Sequence, residues 1–350
     1  MLDLQAKAEE KFRRIGLPNR KMGAYQYLRI SKLPELDALA GHLPTSPSEY
    51  AMPLSSAMPL YGQLLKGRMH ALVDKSGDPI TLLNFSRTDD GLFFYVPPGK
   101  TISEPVVIKT EATSRIHIVV GKGSSVSFIH KGEGSVANTF IDLACETNAH
   151  VKFYNDVRCE SGDWRFDKVH ATLKRDASLD IYSYTPGGAG VRDDYHVELL
   201  ETNSEVRLTG LADLAEGNES HTHIFVHHKA PGCRSHQDFK KVVANGARSS
   251  FEGKIYVDPI AQQTEAYQLN QNLLLGSQAI ANSKPNLEIF ADDVKASHGC
   301  TVAQLDDGEL FYLQTRGLTR EQAKEYLQFA FTSSFFNGLP SKFRTYVTEN

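Results

Sequence analysis
The chain has 350 residues, of which 41% are hydrophobic and 23% charged, with a formal net charge of −4. That balance suits a soluble globular protein and supplies no bulk basic field for nucleic acid or an anionic membrane. The opening MLDLQAKAEEKFRR has no apolar core of the secretory kind, and no apolar run approaches the ~18 residues of a membrane span, so a cytoplasmic protein is expected.

Residues 1–100 read as a helical and mixed region. Leu4, Ala8, Phe12 and Ile15 share one helical face, and Gly16 and Pro18 stop that helix. Pro44, Pro47, Pro53 and Pro59 mark residues 44–60 as an extended connector. Residues 60–100 show short strand-like runs broken by Gly and Pro.

From 101 to 297 the texture becomes alternating, and a repeat emerges. A turn-former, a small residue, any residue and then apolar–x–apolar recurs four times, beginning at Gly123, Asn148, Asp176 and Asn203. The first apolar positions, Val126, Val151, Leu179 and Val206, are spaced by 25, 28 and 27 residues. A strand–turn–strand unit with one apolar face cannot bury that face alone, whereas stacked units bury a continuous core. The spacing predicts one coil of a parallel β-helix per repeat; a β-sandwich is the competing architecture.

Residues 298–350 turn helical. Asp306 with Glu309 and Thr319 with Gln322 predict two capping boxes. Ala323, Tyr326, Leu327, Ala330, Phe331 and Phe335 predict one apolar stripe, facing either the core or a partner.

Catalytic signatures are sparse. The sequence contains no GxSxG elbow, no Walker A motif and no GxGxxG. Cys145, Cys159, Cys233 and Cys300 form no CxxC pair and are expected as free thiols, most of them buried. Among thirteen histidines, His221, His223, His227, His228 and His236 cluster in sequence; they read either as polar residues on a solvent-facing surface or as a metal site. His298 and Cys300 place an imidazole and a thiol two residues apart, a pair that suits iron, zinc or an iron–sulfur cluster. A structural histidine beside Gly299 is the alternative.

Those two residues belong to a longer stretch: Lys284-Pro285-Asn286-Leu287-Glu288-Ile289-Phe290-Ala291-Asp292-Asp293-Val294-Lys295, then Ser297-His298-Gly299, Gln304-Leu305-Asp306 and Arg316-Gly317-Leu318. With His228-Lys229-Ala230-Pro231-Gly232-Cys233, Phe251-Glu252-Gly253-Lys254 and Gly16-Leu17-Pro18-Asn19-Arg20-Lys21, this resembles the SufB/SufD family of iron–sulfur cluster assembly proteins. The SufD branch fits better: Ser297-His298-Gly299-Cys300-Thr301 stands where SufB-like chains read EHEAT, and Leu269-Asn270-Gln271-Asn272 lacks the SufB cysteine.

The resemblance implies a right-handed parallel β-helix between helical ends, in a non-catalytic scaffold of a Suf-type complex. It implies pairing with a SufB-like subunit or a second copy and docking of a SufC-like ABC ATPase, which would carry the missing Walker motif. His298 matches the family histidine proposed as a ligand to a transient cluster or iron at the subunit interface; Cys300 stands where the family usually has alanine, and is a second candidate only through its place two residues on, on the same face of an extended backbone. Some complexes of the family carry reduced flavin, but no residue here assigns a flavin site. The alternative from another class is a stand-alone β-helix enzyme of the carbohydrate-modifying lyase type.

Overall fold
The computed structural model describes residues 2–160 and 162–349. Its N-terminal part comprises α1 (Leu2–Ile15), β1 (Ala51–Pro53), α2 (Leu54–Lys75), α3 (Pro79–Arg87) and β2 (Leu92–Val96). A long run of strands follows: β3 (Val106–Val120), β4 (Ser125–Cys145), β5 (His150–Asp156), β6 (Trp164–Leu173), β7 (Ser178–Thr185), β8 (Gly190–Leu199), β9 (Glu205–Leu214) and β10 (Glu219–His228). It continues through β11 (Arg234–Val243), β12 (Arg248–Val257), β13 (Thr264–Leu274), β14 (Ile280–Ile289) and β15 (Val294–Gln304). Three helices close the chain: α4 (Asp307–Thr315), α5 (Arg320–Gly338) and α6 (Ser341–Glu349).

Apart from the antiparallel β1–β2 pair, every named strand pairing is parallel, and the strand order β14-β12-β10-β8-β6-β4-β5-β7-β9-β11-β13-β15 defines a β-helix with two stacked walls. The predicted column is in register, with Val126 opposite Val151, Val151 opposite Leu179 and Leu179 opposite Val206. The turn-formers explain the repeat. Gly123, Asn148, Asp176 and Asn203 all sit in the left-handed region, at φ of 67, 59, 59 and 60°. Only glycine, and next to it Asn and Asp, enters that region at little cost. The same corner continues at Gly232 and Gln263, where the column carries Ser235 and Ala266. The corners are joined by a backbone ladder in which each turn residue donates its N–H to the next coil, as in Asn148 to Arg175 and Gln263 to Asp293.

The early coils enclose aromatic and branched residues such as Phe94, Phe128, Phe153, Leu179 and Val197, all buried. A second core lies between α1–α3 and the outer wall, where Leu65, Met69 and Phe85 meet Phe140, Trp164 and Phe166. Arg68 of α2 clips this layer to the solenoid: its Nε and Nη2 donate to Asp142 Oδ2 and Oδ1 at 2.5 and 2.6 Å. The helices α2 and α3 correct the expectation of a connector to residue 60 and strand-like runs after it. Leu54, Ala57, Leu65, Met69 and Val73 bury one helical face, and Pro59 falls early in the helix. Asp78 caps α3, accepting from the Thr81 amide at 3.1 Å, with Pro79 in its first turn.

Of the two expected capping boxes, Thr319 with Gln322 forms in full, whereas at Asp306 only one half forms, its side chain accepting from the Glu309 amide. The predicted stripe on α5 is split. Ala323 and Phe335 are buried and Leu327 and Phe331 half-buried, whereas Tyr326 and Ala330 face solvent. The helix lies along the β9–β11 wall, where Lys240 bonds the Phe331 carbonyl and Gln328 reaches Asp213, so its buried face is rotated relative to the stripe.

Candidate functional site at the open end of the solenoid
The strands β14 and β15 are the two ends of the strand order, so the last coil carries no further strand on its outer side among the described residues. Parallel register sets which of its side chains look into the lumen. In β13, Ala266, Gln268, Asn270 and Asn272 are buried and point inward; their partners in β15 are Ala296, His298, Cys300 and Val302. His298 thus tops a column that reaches it through Gln237 and Gln268, and Cys300 tops Phe239 and Asn270. On an inner coil such residues would be enclosed; here both are exposed. They share one face of one strand, as two residues at i and i+2 must, and both are strand residues, since β15 runs to Gln304.

The mouth is polar. Gln268 donates to Gln237 Oε1 at 2.6 Å, and Asn270 reaches across the lumen to Ser283 Oγ at 2.9 Å. Three side-chain acceptors there, Gln268 Oε1, Asn270 Oδ1 and Asn272 Oδ1, have no hydrogen-bond partner within the chain. Deeper in the lumen, Lys241 donates to the Ser250 carbonyl at 2.7 Å, and burial pulls its amine down to about 7. Burial, with Asp167 adding, pushes the Asp193 carboxyl up to about 7, where Asn155 and Ser183 approach it at 3.3 and 3.4 Å.

The histidine-rich stretch resolves differently from the solvent-facing surface expected of it. His221 is buried, bonded to Glu219 at 3.0 Å and Ser250 at 2.8 Å, beneath a segment whose Arg29 pairs with Glu219. His228 is buried against Ser235 Oγ at 2.8 Å, and burial lowers its pKa to about 3. His223 lies 3.3 Å from Asp194, His227 lies 3.0 Å from Asp258, and His236 is exposed. Those five residues therefore spread over several environments and converge on no common point. All four cysteines are free: Cys145 and Cys233 are buried, Cys159 is half-buried and Cys300 is exposed. Burial raises Cys145 and Cys159 to about 12, so neither thiol ionises readily.

Sequence reasoning did not register a further cluster, His170, His196 and Glu198, which adjacent coils bring together on the outer wall under α2. Its signal was available: 26 residues separate the two histidines, one step of the repeat.

The architecture defines a parallel β-helix protein whose terminal coil is left open. The chain belongs to the SUF system FeS cluster assembly family, whose SufBD core domain matches residues 104–331. It is 36% identical over 167 residues to the iron–sulfur cluster assembly protein SufD of Escherichia coli, covering 48% of this chain and 40% of that protein. It is 39% identical over 203 residues to a SufBD family protein of Synechocystis, covering 58% and 45%. It is 28% identical over 295 residues to the chloroplastic protein ABCI7 of Arabidopsis thaliana, covering 76% and 61%. The chain thus spans between two fifths and three fifths of the length of these relatives. The family supports the assembly reading and gives the carbohydrate-lyase alternative no support. No helix among the described residues is long and apolar enough to cross a membrane.

Proposed function
We propose that this chain is a non-catalytic, cytoplasmic scaffold subunit of a Suf-type iron–sulfur cluster assembly complex, acting through the open end of its β-helix. The observation that carries this reading is the unpaired last coil with His298 and Cys300 exposed on its inward face. A row of free backbone groups is a template for strand addition, so the partner is a SufB-like subunit or a second copy, joined end to end. An imidazole and a cysteine sulfur facing that junction offer nitrogen and sulfur to iron or a nascent cluster. The ATPase would dock on the C-terminal helices, where Phe311, Tyr312, Tyr326 and Phe329 are 57–68% exposed; isolated apolar residues are ordinary on surfaces, whereas four aromatics on two adjoining helices mark a contact.

Co-expression with a SufB-like chain and a SufC-like ATPase, followed by purification and visible absorption, tests the reading. The three chains are expected to co-purify and to hold iron–sulfur absorbance after reconstitution. His298→Ala with Cys300→Ala is expected to leave assembly and melting temperature intact while abolishing that absorbance. Normal cluster assembly by the double variant would defeat the ligand assignment, and failure to co-purify with either partner would defeat the scaffold. Phe329→Glu is expected to weaken ATPase binding roughly tenfold or more, with the β-helix still folded.

A further inference from the structure
We infer that His170, His196 and Glu198 form a binding site for a first-row divalent transition ion, zinc or iron(II), at the floor of a cavity between α2 and the β-helix. One donor atom from each residue lies within 4.8 Å of the others. The cluster is built by register: His170 of β6 stands directly opposite His196 of β8, and Glu198 follows two residues on, so all three leave the same outer face. Their rings and carboxylate border a cavity of about 340 Å³ roofed by Ala71, Leu72 and Lys75 of α2.

The donors are prepared as ligands. His170 Nδ1 lies 3.1 Å from Asp142 Oδ1, and Asp142 is an anion held by Arg68, so Nδ1 is the donor in that bond and Nε2 is the atom placed to coordinate. A carboxylate behind the ring is the usual outer support of a metal-bound histidine. His196 Nε2 is out of solvent without a hydrogen-bond partner and stands 3.6 Å from Glu198 Oε1. Two ligands about 2.1 Å from a tetrahedral ion lie roughly 3.4 Å apart, so this pair is nearly in place.

Two nitrogens and one carboxylate oxygen suit a borderline divalent ion better than calcium or magnesium. Three protein ligands facing a cavity also leave a coordination position open. Two of the surrounding cations are matched, Arg68 by Asp142 and Lys168 by Asp78 at 3.2 Å. One cation competes for the site itself, since Lys229 holds Glu198 Oε2 at 2.9 Å.

The test uses the full chain carrying His298→Ala and Cys300→Ala, so that the open end contributes no ligand. After chelator treatment it is titrated with Zn²⁺ by calorimetry and with Co²⁺ by visible absorption. One equivalent per chain is expected, with cobalt bands of low-symmetry nitrogen–oxygen coordination. Adding His170→Ala and His196→Ala is expected to weaken binding by at least about a hundredfold. Glu198→Gln, which preserves shape, should weaken it while the melting temperature stays within a few degrees. Lys229→Met should tighten it by freeing the carboxylate. Absence of stoichiometric binding in the parent, or equal affinity in the His170, His196 variant, overturns the site. Because the background lacks His298 and Cys300, neither result bears on the cluster-scaffold reading.

Discussion

Replacing Arg68 by Met should loosen the N-terminal layer from the β-helix, and by an amount that depends on pH. Arg68 makes a two-pronged ion pair with Asp142, whose side chain is 1% exposed. Removing one partner of such a pair leaves a buried charge and costs about 3–5 kcal/mol. His117 and His170 still approach Asp142 at 3.1 Å, which favours the lower end, about 3 kcal/mol. Burial alone would raise the Asp142 carboxyl, but the charge of Arg68 and the bonds from both histidines and Arg68 hold it well below its usual range. A depressed carboxylate stabilises the fold above the unfolded pKa of about 4, and that contribution disappears as pH falls through the folded value. Without Arg68 the carboxyl titrates higher, so the deficit should be full at pH 7.5 and shrink by pH 5 as Asp142 takes up a proton. Urea unfolding can be followed through Trp164, the single tryptophan, which is buried and stacked on Phe166 in the affected layer. Adding Asp142→Asn to Arg68→Met should restore at least half of the loss. A deficit below about 1 kcal/mol, or one equal at both pH values, would refute the reasoning.

Other expectations follow from the same geometry. Val151→Asp places a carboxylate inside a column whose members are at most 2% exposed, and should abolish cooperative unfolding by circular dichroism. Asp193→Asn should remove a pH dependence: a carboxyl raised to about 7 stabilises below pH 4 and loses up to about 4 kcal/mol as pH rises through 7, so the variant should gain on the parent across that window in denaturant titrations. Phe335→Ala removes a buried ring that packs on Tyr184, 6.1 Å between centroids, and should cost about 3 kcal/mol locally, read as faster hydrogen exchange in α5 and α6.

The β-helix was legible because its corners demand a left-handed residue. Gly123, Asn148, Asp176 and Asn203 announce the corner chemically, and Val or Leu three positions on announces the core. The repeat faded after 206 because the column then carries Ser235 and Ala266, and one corner uses Gln263, which gives no turn signal. Residues 60–87 misled for a different reason: Gly62, Gly67 and Gly77 look like breaks, yet two of them lie inside α2, whose stability comes from packing Leu65 and Met69 rather than from propensity. His298 and Cys300 could be named from sequence because they lie two residues apart on one stretch. His170, His196 and Glu198 were harder to name, because the one-repeat spacing of the two histidines becomes proximity only once two coils are set in register.

The two ends of the solenoid are chemically unlike, and that difference limits how copies can add to one another. One end is covered by β1, β2 and the bridges that residues 41 and 45 make to β3; the other presents bare backbone on β14 and β15. Head-to-tail growth would require the bare edge to find an equally bare one on the opposite end, and the N-terminal layer denies it. In the pairing proposed above, two bare ends would meet about a twofold or pseudo-twofold axis, which would consume both edges at once. Such a pairing would convert an architecture whose coils could in principle stack without limit into one that terminates at a pair.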